Sequence, residues 1–159
     1  MTTNVNEQWM KEAIELSRRN VSEGRGGPFA ALIVRDDTVI ARGTNQVTSA
    51  NDPTAHAEII AIRRASQALG SFSLHGCVIY TTCEPCPMCL GAIYWSRLER
   101  VFFANTREDA ARIGFDDQRI YAEMSFPLSE RTIPFIQVMQ DAARVAFQEW
   151  ELKNDKIRY

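Results

Sequence analysis

Apolar residues recur every three or four positions in several stretches of the chain, which is the spacing of one helix face. The clearest stretch is residues 7–23, which Gly24 follows as a stop. A second predicted helix carries His56 and Glu58 and runs to about residue 69, with Gly70 after it. Further helices are predicted at residues 88–96 and 141–153, and a short one at 109–113. The long helices therefore have an apolar face to lay against a sheet.

Short runs rich in β-branched and aromatic residues lie between these helices. They predict strands at residues 29–34 and 38–42, joined by a hairpin turn at Asp36-Asp37, and further strands at 78–82, 100–104 and 133–139. After the opening hairpin the order is strand, helix, strand, helix. This order predicts an α/β domain with some parallel pairing and with helices on both faces of the sheet.

Length and composition restrict the class of protein. The chain has 159 residues, of which 24% are charged and 45% apolar, so we expect one globular domain spanning residues 1–159. The net charge is −2 and the pI about 5.7, so the chain lacks the overall basic character of nucleic-acid-binding proteins, which weighs against a polynucleotide substrate. No apolar run approaches 18 residues and the first residues do not resemble a signal peptide, so we expect a cytoplasmic protein without a membrane segment.

Three residues have the character of zinc ligands. Zinc prefers thiolate and imidazole ligands, and a catalytic site uses three of them so that its fourth position can hold water. Cys86, Cys89 and His56 provide such a set. The Cys-x-x-Cys spacing suits one metal if Cys86 ends a loop and Cys89 lies in the first helical turn, and Pro87 is favourable where a helix begins. The pattern predicts an open, catalytic zinc site.

Glu58 stands two positions after His56, so the two side chains do not share a helical face. This suits different roles, in which His56 binds the metal and Glu58 moves a proton between water and substrate. The alternative is an acidic residue that stabilises the helix N-terminus.

The other two cysteines leave a second possibility. Cys83 also precedes Cys86 by three positions, so the alternative is a closed structural zinc site with three cysteines and His56. We favour a Cys83 that ends a strand and faces the core, and a Cys77 that is a buried small apolar residue. Three cysteines within seven positions fit a reduced metal site better than a disulfide framework.

When they are taken alone, three polar turns have ordinary structural interpretations. Residues 24–28 form either a phosphate-binding loop or a flexible entry beside a pocket, and the spacing favours the second. Asn45 follows a predicted strand and is typical of a turn. Asp116 and Asp117 are adjacent carboxylates that would ordinarily be solvated.

The two zinc motifs match the His-x-Glu and Pro-Cys-x-x-Cys signature of zinc deaminases. Nearly the full chain resembles the bacterial guanine deaminases, a branch of the cytidine deaminase-like superfamily. It departs from that pattern at Ala30, where relatives commonly have glycine. The resemblance is carried by Thr48, by the closing Tyr159 and by the stretches Gly26-Gly27-Pro28-Phe29, residues 51–58, residues 84–95, Gly114-Phe115-Asp116-Asp117 and residues 131–135.

The resemblance implies a three-layer α/β/α fold with a five-stranded mixed sheet and one Zn²⁺ per subunit. It also implies a homodimer in which a C-terminal helix and tail, residues 141–159, exchange between subunits. His56, Cys86 and Cys89 would bind the metal, with Glu58 and Asp117 catalytic. The purine base would be contacted by Phe29, Asn45, Ala57, Trp95 and Asp117, and by Tyr159 of the other subunit.

The expected reaction is hydrolysis of guanine, a small-molecule purine, to xanthine and ammonia. Related substrates remain as alternatives, namely adenosine in tRNA, cytosine, or another aminated purine or triazine ring. A non-catalytic zinc-binding module is a third reading, and it would fill all four ligand positions.

Overall fold

The computed structural model describes residues 6–159. Its helices and strands agree with the expected positions to within about two residues over most of the chain. Three elements were not expected from the pattern, namely α2, α6 and a 3₁₀ turn at Leu128–Glu130. The elements are α1 (Glu7–Ser22), β1 (Ala30–Arg35), β2 (Thr38–Thr44), α2 (Val47–Ala50), α3 (Ala57–Leu69), β3 (Val78–Cys83), α4 (Pro87–Trp95), β4 (Arg100–Asn105), α5 (Arg107–Arg112), α6 (Gln118–Ser125) and α7 (Gln140–Leu152).

The strands form a mixed sheet in the order β2, β1, β3, β4. β1 pairs antiparallel with both β2 and β3, while β3 and β4 are parallel and joined through α4. The β1–β2 hairpin turns at Asp36 and Asp37, both in the left-handed region with φ of 47° and 54°. This is the conformation of a two-residue hairpin turn, as predicted. In this order β3 lies between β1 and β4, so it is a central strand.

Two apolar layers cover the two faces of the sheet. On one face, Ala13 of α1 packs in a cluster with Leu32, Val34 and Tyr80. On the other face, alanines of α3 pack with Ile33 and Ile79. Because successive strand residues point to opposite faces, Tyr80 faces α1 while its neighbours on β3 face α3. The expected α/β/α layering is confirmed.

The described sheet has four strands, so the prediction of a fifth is wrong. Residues 133–139 form no strand and end at Met139, whose φ is 52°. They belong to a compact unit, Arg119–Tyr159, in which the described residues form only helices, turns and irregular segments. A strand needs a neighbouring strand to which its backbone can hydrogen-bond, and Pro134 has no amide hydrogen to donate to such a neighbour. The other compact unit contains the sheet and ends at Gln118.

Within residues 6–159, no helix combines the length and the apolar character that crossing a bilayer requires.

Candidate metal centre and active site

The three expected metal ligands meet where two helices begin. His56 is the N-cap residue of α3, Cys86 is the N-cap of α4, and Cys89 lies in the first turn of α4. Pro87 occupies the start of α4, where its missing amide hydrogen leaves no bond unmade. The prediction that Cys86 ends a loop and Cys89 lies in the first turn is confirmed.

The spacing of the ligand atoms fits zinc. His56 Nδ1 lies 3.5 Å from Cys86 Sγ and 3.6 Å from Cys89 Sγ. A tetrahedral zinc ion with bonds of about 2.3 Å to sulfur and 2.0–2.1 Å to nitrogen separates two such ligands by about 3.5–3.6 Å. Among the described residues these three form a potential metal-binding group, with all ligand atoms within 4.8 Å of one another. The donor set and its spacing therefore suit zinc.

The electrostatics of the three groups favour a thiolate. The Cys89 thiol donates to Cys86 and, with His56, lowers the pKa of Cys86 to about 4, although burial opposes the shift. The hydrogen bond to Cys86 raises the pKa of His56. The hydrogen bond that Cys89 donates to Cys86, together with the burial of Cys89, raises the pKa of Cys89. The proton shared by the two cysteines therefore stays on Cys89. A bound cation makes both cysteines thiolates, because a coordinating thiol is deprotonated.

The other two cysteines lie outside this group. Cys83 ends β3, is buried, and its sulfur lies 3.6 Å from the carbonyl oxygen of Thr106. Burial raises the pKa of Cys83 to about 11, which disfavours the thiolate that a metal needs. Cys77 is also fully buried. Both positions agree with the sequence interpretation, and the described residues do not form the closed site with three cysteines.

Glu58 lies beside the metal ligands in the first turn of α3 and is buried. Its Oε1 accepts a hydrogen bond of 2.9 Å from the Thr81 hydroxyl, and its Oε2 lies 3.4 Å from Cys89 Sγ. Burial raises the pKa of Glu58, while the bond from Thr81 opposes the shift. A buried carboxyl with a raised pKa next to a metal centre is suited to accept and return a proton.

Asn45 is buried in a loop next to the glycine-rich turn. Its side-chain Oδ1 accepts from the backbone N–H groups of Gly27 and Val47, each at 3.3 Å. Its backbone carbonyl accepts from the Asn20 side chain at 2.9 Å, and the same Asn20 amide donates to the carbonyl of Gly27 at 2.9 Å. A Cβ on Gly26 would lie 2.3 Å from the Asn45 carbonyl oxygen. Asn20 and two glycines thus fix the position of Asn45.

The Gly-Phe-Asp-Asp turn is held near the same place by an aromatic pair. Phe115 meets the half-buried Phe29 edge to face, with ring centroids 4.8 Å apart and planes at 89°. Asp117 is partly buried, and its burial and the Cys86 thiolate raise its pKa. Asp117 in turn helps to raise the pKa of His56, so it acts within electrostatic reach of the metal centre. This Asp117 is therefore not merely a solvated turn residue.

The remaining expected site residues differ in how far they are buried. Ala57 is fully buried between His56 and Glu58. Trp95 ends α4 with an exposed side chain, and Tyr159 is an exposed residue of the Arg119–Tyr159 unit. Ala30 is fully buried, and its N–H donates to the Thr82 hydroxyl at 3.1 Å.

The sequence interpretation missed three residues that hold this site together, namely Asn20, Thr81 and Phe115. Asn20 sits on a buried helix position where an apolar residue is usual, and Thr81 sits in an otherwise apolar strand. A buried polar residue needs a partner, so both positions carried a signal, but the sequence did not identify the partner.

Comparisons of the sequence and of the structure with known proteins both find deaminases. The family model for the cytidine and deoxycytidylate deaminase zinc-binding region matches residues 3–105. The chain is 52% identical to a guanine deaminase of Bacillus subtilis strain 168, over 96% of this chain and 98% of that protein. A crystal structure of guanine deaminase from Bacillus subtilis superposes with a TM-score of 0.94 at 51% identity, covering 98% of this chain and 99% of that one. A tRNA-specific adenosine deaminase of Buchnera aphidicola is 37% identical over 72% of this chain and 76% of that protein.

Proposed function

Because this chain belongs to the cytidine and deoxycytidylate deaminase zinc-binding family, we propose that it is a zinc-dependent hydrolase that converts guanine and water into xanthine and ammonia. The observation that carries the proposal is the similarity to a guanine deaminase over nearly the whole of both chains. The zinc-type ligand triad with a buried carboxyl beside it supplies the chemistry. A non-catalytic zinc module does not account for Glu58, and the described residues offer the metal three ligands.

His56, Cys86 and Cys89 would hold the zinc ion through one nitrogen and two sulfur atoms. When bound, zinc supplies a Lewis acid that makes water acidic enough to react at neutral pH. The two thiolates balance its charge, and the helix N-termini at His56 and Cys86 favour negative charge at this point.

Glu58 performs the proton transfers. It takes a proton from the attacking water and delivers it to a ring nitrogen of guanine, while the oxygen of that water bonds to the carbon that bears the amine. Glu58 then protonates the amine with the second proton of that water, and Asp117 assists as ammonia leaves. The raised pKa of Glu58 fits this exchange, since a carboxyl that remains too acidic would accept a proton poorly.

The neighbouring residues would recognise the base. Asn45 is held by its Oδ1 and its backbone, so its side-chain amide would donate to an acceptor on the purine. Phe29, fixed by Phe115, would pack on the ring, as would Trp95. Ala57 would contact the base from the start of α3.

We also propose that the protein is a homodimer that exchanges residues 141–159, so that Tyr159 completes the partner's site. The support is the apolar surface of the C-terminal unit. Within the exchanged segment, Phe147 and Leu152 are 78% and 80% exposed, and Ile157 is 67% exposed. Side chains of this kind are normally covered, and exchange between two copies would cover them.

The proposed setting is the cytoplasm and the proposed partner a free base. All four cysteines are unpaired, which suits a reducing compartment. The acidic composition disfavours a polynucleotide, although the tRNA-specific relative makes tRNA adenosine the alternative substrate to test.

The function is tested by measuring ammonia release from guanine, adenine, cytosine and a tRNA anticodon stem. Guanine should be preferred, and a preference for the tRNA would replace the proposal. Glu58→Gln should lower kcat by about 10² to 10⁴-fold without loss of zinc. A Glu58→Gln protein that binds zinc and keeps near-normal turnover contradicts the assigned role.

Exchange is tested by complementation between subunits. Glu58→Gln and Tyr159→Ala chains, each inactive or weak alone, are mixed and allowed to reassemble. If Tyr159 acts on the partner's site, each mixed dimer regains one complete site and the mixture recovers about a quarter of wild-type activity. Absence of recovery in mixed dimers whose formation has been verified would place Tyr159 with its own subunit's site.

A further inference from the structure

Thr81 lies directly against the proposed catalytic carboxyl. Its hydroxyl donates to Glu58 Oε1 at 2.9 Å. Thr81 is completely buried and Glu58 is 5% exposed, so water does not readily compete for this bond. A hydrogen bond to a charged group in such surroundings is among the stronger ones in proteins.

The strand gives this hydroxyl a fixed position. Thr81 lies in β3, the strand between β1 and β4, where it is paired with Ala31 on one side and Phe103 on the other. As a β-branched residue it has few side-chain rotamers. The next residue, Thr82, points to the other face of the sheet, where its hydroxyl accepts from the Ala30 N–H. The sequence Thr81-Thr82 thus contains two buried hydroxyls, of which one reaches Glu58.

The second oxygen of the Glu58 carboxyl group makes a longer contact. Glu58 Oε2 lies 3.4 Å from Cys89 Sγ, a longer contact than the 2.9 Å bond from the Thr81 hydroxyl to Oε1. The Thr81 hydroxyl is therefore the nearer of the two side-chain groups that the structure shows against the carboxyl oxygens.

We propose that Thr81 is a positioning residue for the reaction, which fixes one oxygen of Glu58 so that the other faces the attacking water and the amine. The inference rests on the proposed function, because it assigns to Glu58 the proton transfers described above. Orientation of a catalytic group to within a fraction of an ångström is worth large factors in rate, whereas substrate binding need not depend on it.

The test compares Thr81→Val, which keeps the shape but lacks the hydroxyl, with Thr81→Ser, which keeps the hydroxyl. Thr81→Val should lower kcat by about 10- to 100-fold with KM changed by less than about three-fold and zinc retained. Thr81→Ser should restore most of kcat. The matched control is Thr82→Val, which removes an equally buried hydroxyl from the other face of the strand and should lower thermal stability more than kcat.

A second measurement does not depend on turnover. Crystal structures of the zinc-loaded wild-type and Thr81→Val proteins should show the Glu58 carboxylate in one orientation in the first and rotated or divided between orientations in the second. If Thr81→Val does not fold, Thr81→Ala takes its place. An unchanged kcat, an unchanged carboxylate, or an equal fall of kcat in Thr82→Val overturns the proposal. Failure of the wild-type protein to deaminate guanine overturns the proposed function instead and leaves the crystallographic outcome decisive for Thr81.

Discussion

Gly43 of β2 lies directly against the first turn of α3, and we predict that Gly43→Ala damages the metal centre from a distance. A Cβ at this position would stand 2.1 Å from the carbonyl oxygen of Ala57 and 2.6 Å from the amide nitrogen of Ala61. Both neighbours are backbone atoms, so no side-chain rotation relieves the contact. To restore a separation of 3.0 Å, the helix must withdraw by about 0.9 Å.

The size of the effect follows from what this turn carries. Ala57 lies between His56 and Glu58, so a shift of its carbonyl moves the metal ligand and the carboxyl together. A displacement near 1 Å costs roughly 10²-fold in rate. Forcing an extra carbon into a packed interior also costs about 1 to 3 kcal/mol of stability, which for a chain of this length lowers Tm by about 2–4 °C per kcal/mol.

Three measurements on purified Gly43→Ala check the reasoning, namely bound zinc, kcat for guanine, and the thermal unfolding midpoint. We expect weaker zinc binding, about 10²-fold slower turnover and a lower Tm. Thr38→Ala, an exposed position on the same strand, is the control and should change none of these. A Gly43→Ala protein with full zinc and with kcat within two-fold of wild type would show that the sheet does not set the position of α3.

Further predictions concern the ligands, the loop and the buried carboxyl. Cys86→Ser should lose zinc and activity, whereas Cys83→Ser should keep zinc, as measured by metal analysis. Asn20→Ala should raise KM for guanine by about ten-fold with zinc retained, while the buried control Ser17→Ala, whose hydroxyl bonds only within its helix, should not. Burial raises the pKa of Glu58 above 4.5, so its contribution to stability is present below that pH and is lost as pH rises through the folded pKa. Metal-free Glu58→Gln should therefore unfold at a higher temperature than metal-free wild type at pH 7, and the difference should vanish below pH 4.5.

The metal triad could be predicted from the sequence because its geometry is largely local. Cys86 and Cys89 are one helical turn apart, and His56 and Glu58 share the start of another helix. The sequence spacing within each pair predicts how its two side chains are arranged on their helix. Only the contact between the two helix starts depends on the fold. The chemistry of the ligand types then restricted the choice of metal.

The supporting contacts could not be predicted in the same way. Thr81 meets Glu58 across 23 positions in sequence, and Asn20 meets Asn45 across 25. Such pairs depend on strand register and on which face a helix presents, and neither follows from local pattern. The error at residues 133–139 has a related cause, since a short apolar run shows that a strand is possible but not that a neighbouring strand is available.

The starts of α3 and α4 show how the metal centre and the fold depend on one another. In α1 and α5 the N-cap residues, Asn6 and Thr106, accept hydrogen bonds from the first turn. In α3 and α4 these positions are His56 and Cys86, whose side chains make no capping bond, and an absent cap costs about 0.5–2 kcal/mol. A cation held between them would join the two helix starts, and the helix dipoles would favour its thiolates. Zinc would therefore bind at two helix starts that lack a side-chain cap, and its binding would stabilise the turn that carries Glu58.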